Sequence, residues 1–447
     1  MIRVKQNGYL ILLLVWGWSA AAQESFGVQF IDNWNDTTIT MGPGNVRYSD
    51  CYGFNINAQN YAVIGSTIGA HFLKITPTSI DYLVTKEGSF EGKTVQHRDY
   101  KKYKNYIYAV CDEGASSLQI FDVSFLPDSV HKVYDSNEFF EICHNIFIDT
   151  ISAKLYACGP NNEGMKILDL TNPVAPKLAL NFNNLPYVHD CFVRNDTAFL
   201  NAGSSGLVIY DFNQSSPVEI GLLNFYVDQG YNHSGWWSED GLTYCFIDET
   251  LGKKIKYCRI DNGIQNINVN ALFGTKNAIN YIPHNIQLFM DFAFVSYYNE
   301  GLRIFDLKAK PIKEVAFYDT YLSESDFKLH GAWGVYLFKK DNIILISDRQ
   351  GGLFSFYFPA PALRNIINDA AVFNIPFIDA NSLIIIQPKD ASKLKFSIYS
   401  INGALVYEKQ SYLNWVNIPL FLNPGTYIYH VTSIDLKTSF SGMFVAN

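Results

Sequence analysis

Six histidines recur at a nearly constant interval: His97, His144, His189, His233, His284 and His330, each opening a polar pair ahead of an apolar run. Downstream of most of them come acidic stretches: Asp112-Glu113-Gly114, Asn162-Glu163-Gly164, Asp248-Glu249, Asn299-Glu300-Gly301 and Asp348-Arg349. Imidazoles ligate zinc, copper, iron or nickel, and carboxylates beside them act as further ligands or as acceptors that fix the tautomer. The set therefore points to a transition metal or calcium, or to a polar ligand. One zinc takes about four ligands at ~2.1 Å, so only a subset of six histidines could hold one ion. A competing reading is structural, because a polar residue repeated once per unit often pins a turn through backbone hydrogen bonds. If the histidines crowd one another, like charges should depress the protonation of some members, and the set should titrate as a coupled group.

A spacing in the forties is too long for a local motif, so a repeated fold must position these residues. Each repeat ends in a strand of the form seen in Gly206-Leu207-Val208-Ile209-Tyr210-Asp211, with counterparts at Leu118–Asp122, Met165–Asp169, Tyr257–Asp261 and Leu302–Asp306 and weaker ones at Phe72–Ile75 and Leu353–Phe356. Taking Asp50-Cys51 as the start of the first copy and His330-Gly331 as the start of the last gives intervals of 47, 47, 45, 44, 51 and 46 residues. That period, with alternating apolar residues and frequent turn residues, predicts an all-β, seven-bladed β-propeller with one four-stranded blade per repeat. The i, i+3, i+4 pattern of helical solenoids is absent. The last copy has only three strands before Phe358, and an open sheet edge must be covered. Phe26-Gly27-Val28-Gln29-Phe30-Ile31 is the expected donor of the missing strand. In a blade, the loop between the second and third strands emerges where the first strand begins, which places the acidic loops beside the histidines at the channel mouth.

The domain reading is thus 1–22 signal peptide, 23–358 propeller with blades starting near 50, 97, 144, 189, 233, 284 and 330, 359–373 linker, and 374–447 a small C-terminal β-sandwich. Arg3 and Lys5, the apolar run from Tyr9 to Trp18, and Ala20-Ala21-Ala22 before Gln23 have the layout of a secretory signal. That run is too short to span a bilayer, and no later segment is long and apolar enough, so no transmembrane span is expected in the mature chain. The net charge is −8 and becomes −10 without Arg3 and Lys5, which argues against nucleic acid as a partner. Seven cysteines without a C-x-x-C read as buried thiols, with Cys245 and Cys258 the candidates to pair across a hairpin. Trp236, Trp237 and Trp333 follow their histidines closely and read as packing between blades, with a sugar platform as the alternative. His71, His131 and His430 fall outside the series.

Two resemblances follow from particular residues. The propeller segment resembles the choice-of-anchor B family of LVIVD-repeat proteins, through Tyr61–Gly65, His97-Arg98-Asp99, His144–Asp149, Asp248-Glu249, Ser296–Leu302 and Gly331–Tyr336, with Cys51 where that family has Trp. The last ~70 residues resemble the type A C-terminal sorting domain of the type IX secretion system. Ser400-Ile401-Asn402-Gly403-Ala404-Leu405-Val406 stands for its D-x-x-G-R-x-V turn, and Asn423-Pro424-Gly425-Thr426-Tyr427-Ile428-Tyr429 for its L-x-x-G-x-Y; Ser400 and Ala404 depart from the pattern. These resemblances imply export, the type IX secretion machinery as partner of the C-terminal domain, and a secreted or outer-membrane-attached location.

No nucleophile elbow, H-E-x-x-H, EF-hand, Walker or dinucleotide fingerprint occurs. The reading is a binding or interaction module for an unidentified surface ligand or protein. The alternative is a metal-dependent extracellular hydrolase or lyase with His144, His189, His233 and His284 as ligands and Glu300 as catalytic acid or base.

Overall fold

The computed structural model describes residues 25–359 except 215 and 323–328, and then 374–379, 382–386, 394–411, 415–419, 425–433 and 438–446. The expected signal peptide and nearly all of the expected linker lie outside these residues. Seven antiparallel sheets follow one another along the chain, with inner strands Tyr48–Ile56, Arg98–Tyr103, Asn145–Asp149, Asp190–Arg194, Asn232–Trp237, Asn285–Phe289 and Ala332–Phe338. Each inner strand packs on the next, and Ala332–Phe338 packs back on Tyr48–Ile56, so the sheets close into a seven-bladed propeller around a central channel.

The burial pattern explains why these segments are strands and which of them lie inside. Second strands such as Ile343–Asp348 are buried along their whole length, because both of their faces meet a neighbouring blade. Outer strands such as His131–Ser136 and Lys177–Phe182 are mostly exposed. The core accordingly lies between blades. One cluster joins Tyr108, Val110 and Ile120 of blade 2 to Ile146, Leu155 and Leu168 of blade 3. Tight turns set the register: Asn195 and Asp196 both take positive φ (50° and 59°) in the two-residue connection Arg194 to Thr197, as a type I′ hairpin requires.

The N-terminal segment does close blade 7, but over a shifted range. Gln29–Trp34 pairs with Gly352–Tyr357 as the fourth strand, whereas Ser25–Phe26 adds a fifth strand to blade 6 by pairing with Phe317 and Tyr318. The expected single strand over Phe26–Ile31 is broken at Gly27, whose φ of +71° turns the chain where a Cβ would strike Ala316. Val28 is then buried in the core shared by blades 6 and 7.

His71 proves to be part of this closure. Its ring is buried, with Nε2 2.7 Å from Ser66 Oγ and Nδ1 2.8 Å from Thr85 Oγ1, and it packs on Trp34 of the closing strand. Burial pushes its pKa down to about 4, with Asp36 opposing. A folded-state pKa below the unfolded value means that stability is full above pH ~6.5 and is lost as pH falls toward about 4. Urea unfolding across that window should show a loss of roughly 2–3 kcal/mol that His71→Gln removes. An unchanged pH slope in the variant would refute this assignment.

All seven cysteines are free and buried. Cys245 and Cys258 cannot pair. Cys245 lies opposite Tyr257 and Cys258 opposite Tyr244, so the two thiols point to opposite faces of blade 5, into different cores.

Beyond the propeller, Asn374–Asp379, Ser382–Ile386 and Trp415–Pro419 form one antiparallel sheet, and Leu405–Ser411, Leu394–Ser400, Gly425–Ser433 and Thr438–Ala446 form another. The Asn402-Gly403 turn joins Leu394–Ser400 to Leu405–Ser411, with Gly403 at φ +84° and its N–H donating to the Ser400 carbonyl. Asn423 and Pro424 lie outside the described residues. No described helix is long and apolar enough to cross a membrane.

Candidate functional site

The inner strands begin at one end of the channel, and the residues that gather there lie within one position of a strand start. Five of the six histidines meet there. Neighbouring ring centroids are 5.9 Å apart for His97 and His144, 4.1 Å for His144 and His189, 4.1 Å for His189 and His233, and 4.5 Å for His233 and His284. The circle is completed by Trp333, 4.0 Å from His284 and 5.2 Å from His97. Five imidazoles and one indole thus encircle the channel mouth.

His330 is not a member. Its Nε2 meets the Gly44 carbonyl at 2.6 Å and its Nδ1 the Tyr321 hydroxyl at 2.9 Å, which places it in loop contacts. The register breaks explain the difference. Blade 7 bulges between Ala332 and Val335, so Trp333 occupies the position that histidine holds elsewhere. Blade 1 bulges between Tyr48 and Cys51. Asp50 there corresponds to Asp190, each carboxylate accepting the next residue's N–H at 2.7 Å, so Ser49 is the counterpart of His189. A serine is too short to enter the circle, and His97 and Trp333 meet across it.

The imidazoles fall into two chemical groups. His144 donates to Asp112 (Nδ1 to Oδ2, 2.8 Å), and His97 pairs with Glu113. Burial alone would lower the His144 pKa, but Asp112 outweighs it and holds it above the usual histidine value. The other three are buried and held neutral. His189 and His284 are pushed well below the usual value by burial and then by neighbouring imidazoles, and His233 down to about 4 by burial. His189 Nδ1–H donates to the His233 carbonyl (3.1 Å) and His284 Nδ1–H to the Trp333 carbonyl (2.7 Å). Both therefore keep a lone pair on Nε2, and His284 Nε2 is buried without a partner. Glu249 closes this side: its Oε2 is 3.6 Å from His233 Nε2, and its Oε1 accepts the Tyr298 hydroxyl.

The acidic loops are therefore not equivalent. Asp112, Glu113 and Glu249 reach the imidazoles, and Glu163 is exposed. Asp248 is fully buried beside Lys256 (2.8 Å) and accepts from Tyr226 and the Gly230 N–H. Asp348 accepts from Thr320 and from the Gln350 and Gly351 N–H groups, as a turn residue. Glu300 is buried near Arg303, where burial raises its pKa, and does not line the cavity within the imidazole circle. It has no place beside the imidazoles as an acid or base.

Trp236 and Trp237 pack against Phe192 and Phe199 of the neighbouring blade. Trp333 differs from them, since besides its two histidine neighbours it carries the Arg349 guanidinium 4.4 Å over its ring. Further down the channel lies a layer that the spacing of histidines did not signal. Asp99 binds Lys101 at 2.7 and 2.9 Å, with Asp50 and Asp190 nearby. Burial, then Asp99, raises the Asp50 pKa well above the carboxylate range, and burial raises Asp190 to about 7. A cavity of about 20 Å³ sits at the imidazole circle, and one of about 130 Å³ lies below it. The upper one has room for a single ion or water.

No family model matches this chain, and no curated protein matches it in sequence. Solved structures do superpose on it. PorZ, described as an essential bacterial surface component of the type IX secretion system of Porphyromonas gingivalis, gives a TM-score of 0.49 at 11% identity over 91% of this chain. The chain spans 60% of PorZ's length. YCF48 bound to D1 peptide gives a TM-score of 0.48 at 10% identity, over 71% of this chain and 95% of that one.

Proposed function

We propose that the protein is an exported binding module of the bacterial surface, which captures its ligand at the imidazole-rimmed mouth of the propeller channel. The observation that carries this reading is the buried, partnerless Nε2 of His284, a residue that lines a small cavity together with four further imidazoles and Trp333. A buried polar atom without a partner costs about 1–3 kcal/mol, a cost that a bound ligand offsets. A role limited to pinning blades would use both ring nitrogens within the protein, as His330 does. The resemblance of the propeller to choice-of-anchor B proteins, and of the last ~70 residues to type IX sorting domains, supports a surface location reached through that secretion machinery.

A panel of glycans, peptides and esters offered to the full chain, with and without chelator, tests the reading. Binding of a panel member that is weakened by His284→Gln, with no product formed, supports a binding module. Turnover, or binding indifferent to the substitution, contradicts it. For export, removal of residues 374–447 in a bacterium with type IX secretion should leave the propeller in the periplasm. Its undiminished appearance at the surface would contradict the sorting assignment.

A further inference from the structure

Building on the reading of the channel mouth as a binding site, we propose that it holds one divalent transition-metal ion, ligated by Nε2 of His189, His233 and His284 and by the Glu249 carboxylate. Ligand atoms of His189, His233 and Glu249 already lie within 4.8 Å of one another. Two ligands across a metal at ~2.1 Å each are at most ~4.2 Å apart, so small side-chain rotations bring these three together, and His284, outside that group, has further to turn. The His284 ring stands 4.5 Å from that of His233, its Nε2 is buried without a partner, and His189, His233 and His284 line one small cavity, with Glu249 at its edge 3.6 Å from His233 Nε2.

The surroundings are those of a metal centre as well. His189 and His284 each donate Nδ1–H to a backbone carbonyl, the outer contact that fixes the ligating tautomer and orients the ring. The Tyr298 hydroxyl does the same for Glu249. Glu249 supplies a negative charge and, being only partly buried, a way in from solvent. Three nitrogens and one carboxylate suit zinc, copper, nickel or iron, and exclude calcium, which takes six to eight oxygens. His144 and His97 stay outside the set, each bound to its own carboxylate.

The test is metal titration of the full chain, purified without chelator or metal-affinity tag, with Zn²⁺ followed by calorimetry and Co²⁺ by its visible d–d bands. One equivalent should bind per chain. Glu249→Gln and His284→Gln should each weaken binding at least ~10-fold, as loss of a ligand does, while His330→Gln should bind as the wild type does. Thermal melting of the apo proteins separates loss of a ligand from loss of fold, and the partly buried Glu249 is the milder change. Failure of wild type to bind one equivalent, or binding unaffected by both ligand substitutions, would overturn the proposal. If no metal binds but an organic panel member is still captured through His284, the metal assignment fails and the binding-site reading stands. If neither is captured, both fail.

Discussion

A chain beginning at Asn35 is expected to lose the closed ring. Gln29–Trp34 covers the otherwise open edge of Gly352–Tyr357, and Val28 fills the core between blades 6 and 7. Trp34 also stacks on Tyr82 and packs on His71, tying blade 7 to blade 1. Removing these contacts exposes a row of unpaired N–H and C=O groups and several large apolar side chains. Burial of Val28 stabilises the fold by roughly 1.5–3 kcal/mol, and the partly buried Trp34 adds a fraction of that. The shortened chain should therefore melt about 5 °C lower or more, or aggregate, beside one that begins at Ser25. A synthetic peptide of residues 25–34 supplied in trans should restore part of the loss. Equal melting temperatures for the two chains would show that the N-terminal strand does not close the propeller.

The second large effect is expected at the buried pair Lys256 and Asp248. Both side chains are fully buried, 2.8 Å apart, and Asp248 also accepts from Tyr226 (2.9 Å) and from the Gly230 N–H (2.6 Å). Burial lowers the Lys256 pKa, opposed by Asp248, so the ammonium depends on that carboxylate. Lys256→Met leaves the carboxylate buried and short of its cation, at a cost of about 3–5 kcal/mol. Lys256→Met with Asp248→Asn should cost less than the sum of the two single changes, because a neutral amide tolerates burial. Additive losses in urea unfolding would show that the two charges are not coupled. Asp248 looked from its place in the sequence like a channel-mouth acid. The structure makes it the anchor of blade 5.

That example marks where sequence ceased to be informative. The propeller was legible because its signal is redundant: seven apolar third strands and a period in the forties survive a few irregular copies. Closure by the N-terminus was legible too, since blade 7 lacked a strand and the segment before blade 1 belonged to no repeat. The shift of that strand was not, because it depends on one residue, Gly27, taking positive φ. The spacing of the histidines was legible as placing them at one end of the propeller, where five of them meet, yet the same regularity misassigned blades 1 and 7. There the bulges at Tyr48/Cys51 and Ala332/Val335 put Ser49 and Trp333 in the histidine position. Side-chain partnership was invisible in the pattern. Asp112 and Asp248 sit in similar loops, but one meets an imidazole and the other a buried ammonium. The Asp50, Asp99, Lys101 and Asp190 layer gave no signal as a set, because alternate residues of several inner strands meet only once the ring has closed.

The most direct test of the channel-mouth assignment is anomalous diffraction at the zinc edge from crystals of the full chain grown with Zn²⁺. The account predicts one strong peak inside the imidazole circle, within ~2.0–2.2 Å of Nε2 of His189, His233 and His284 and of a Glu249 oxygen. Zinc found only at surface residues, with His284 Nε2 still unpartnered in an empty circle, would contradict it and leave the imidazoles as packing between blades.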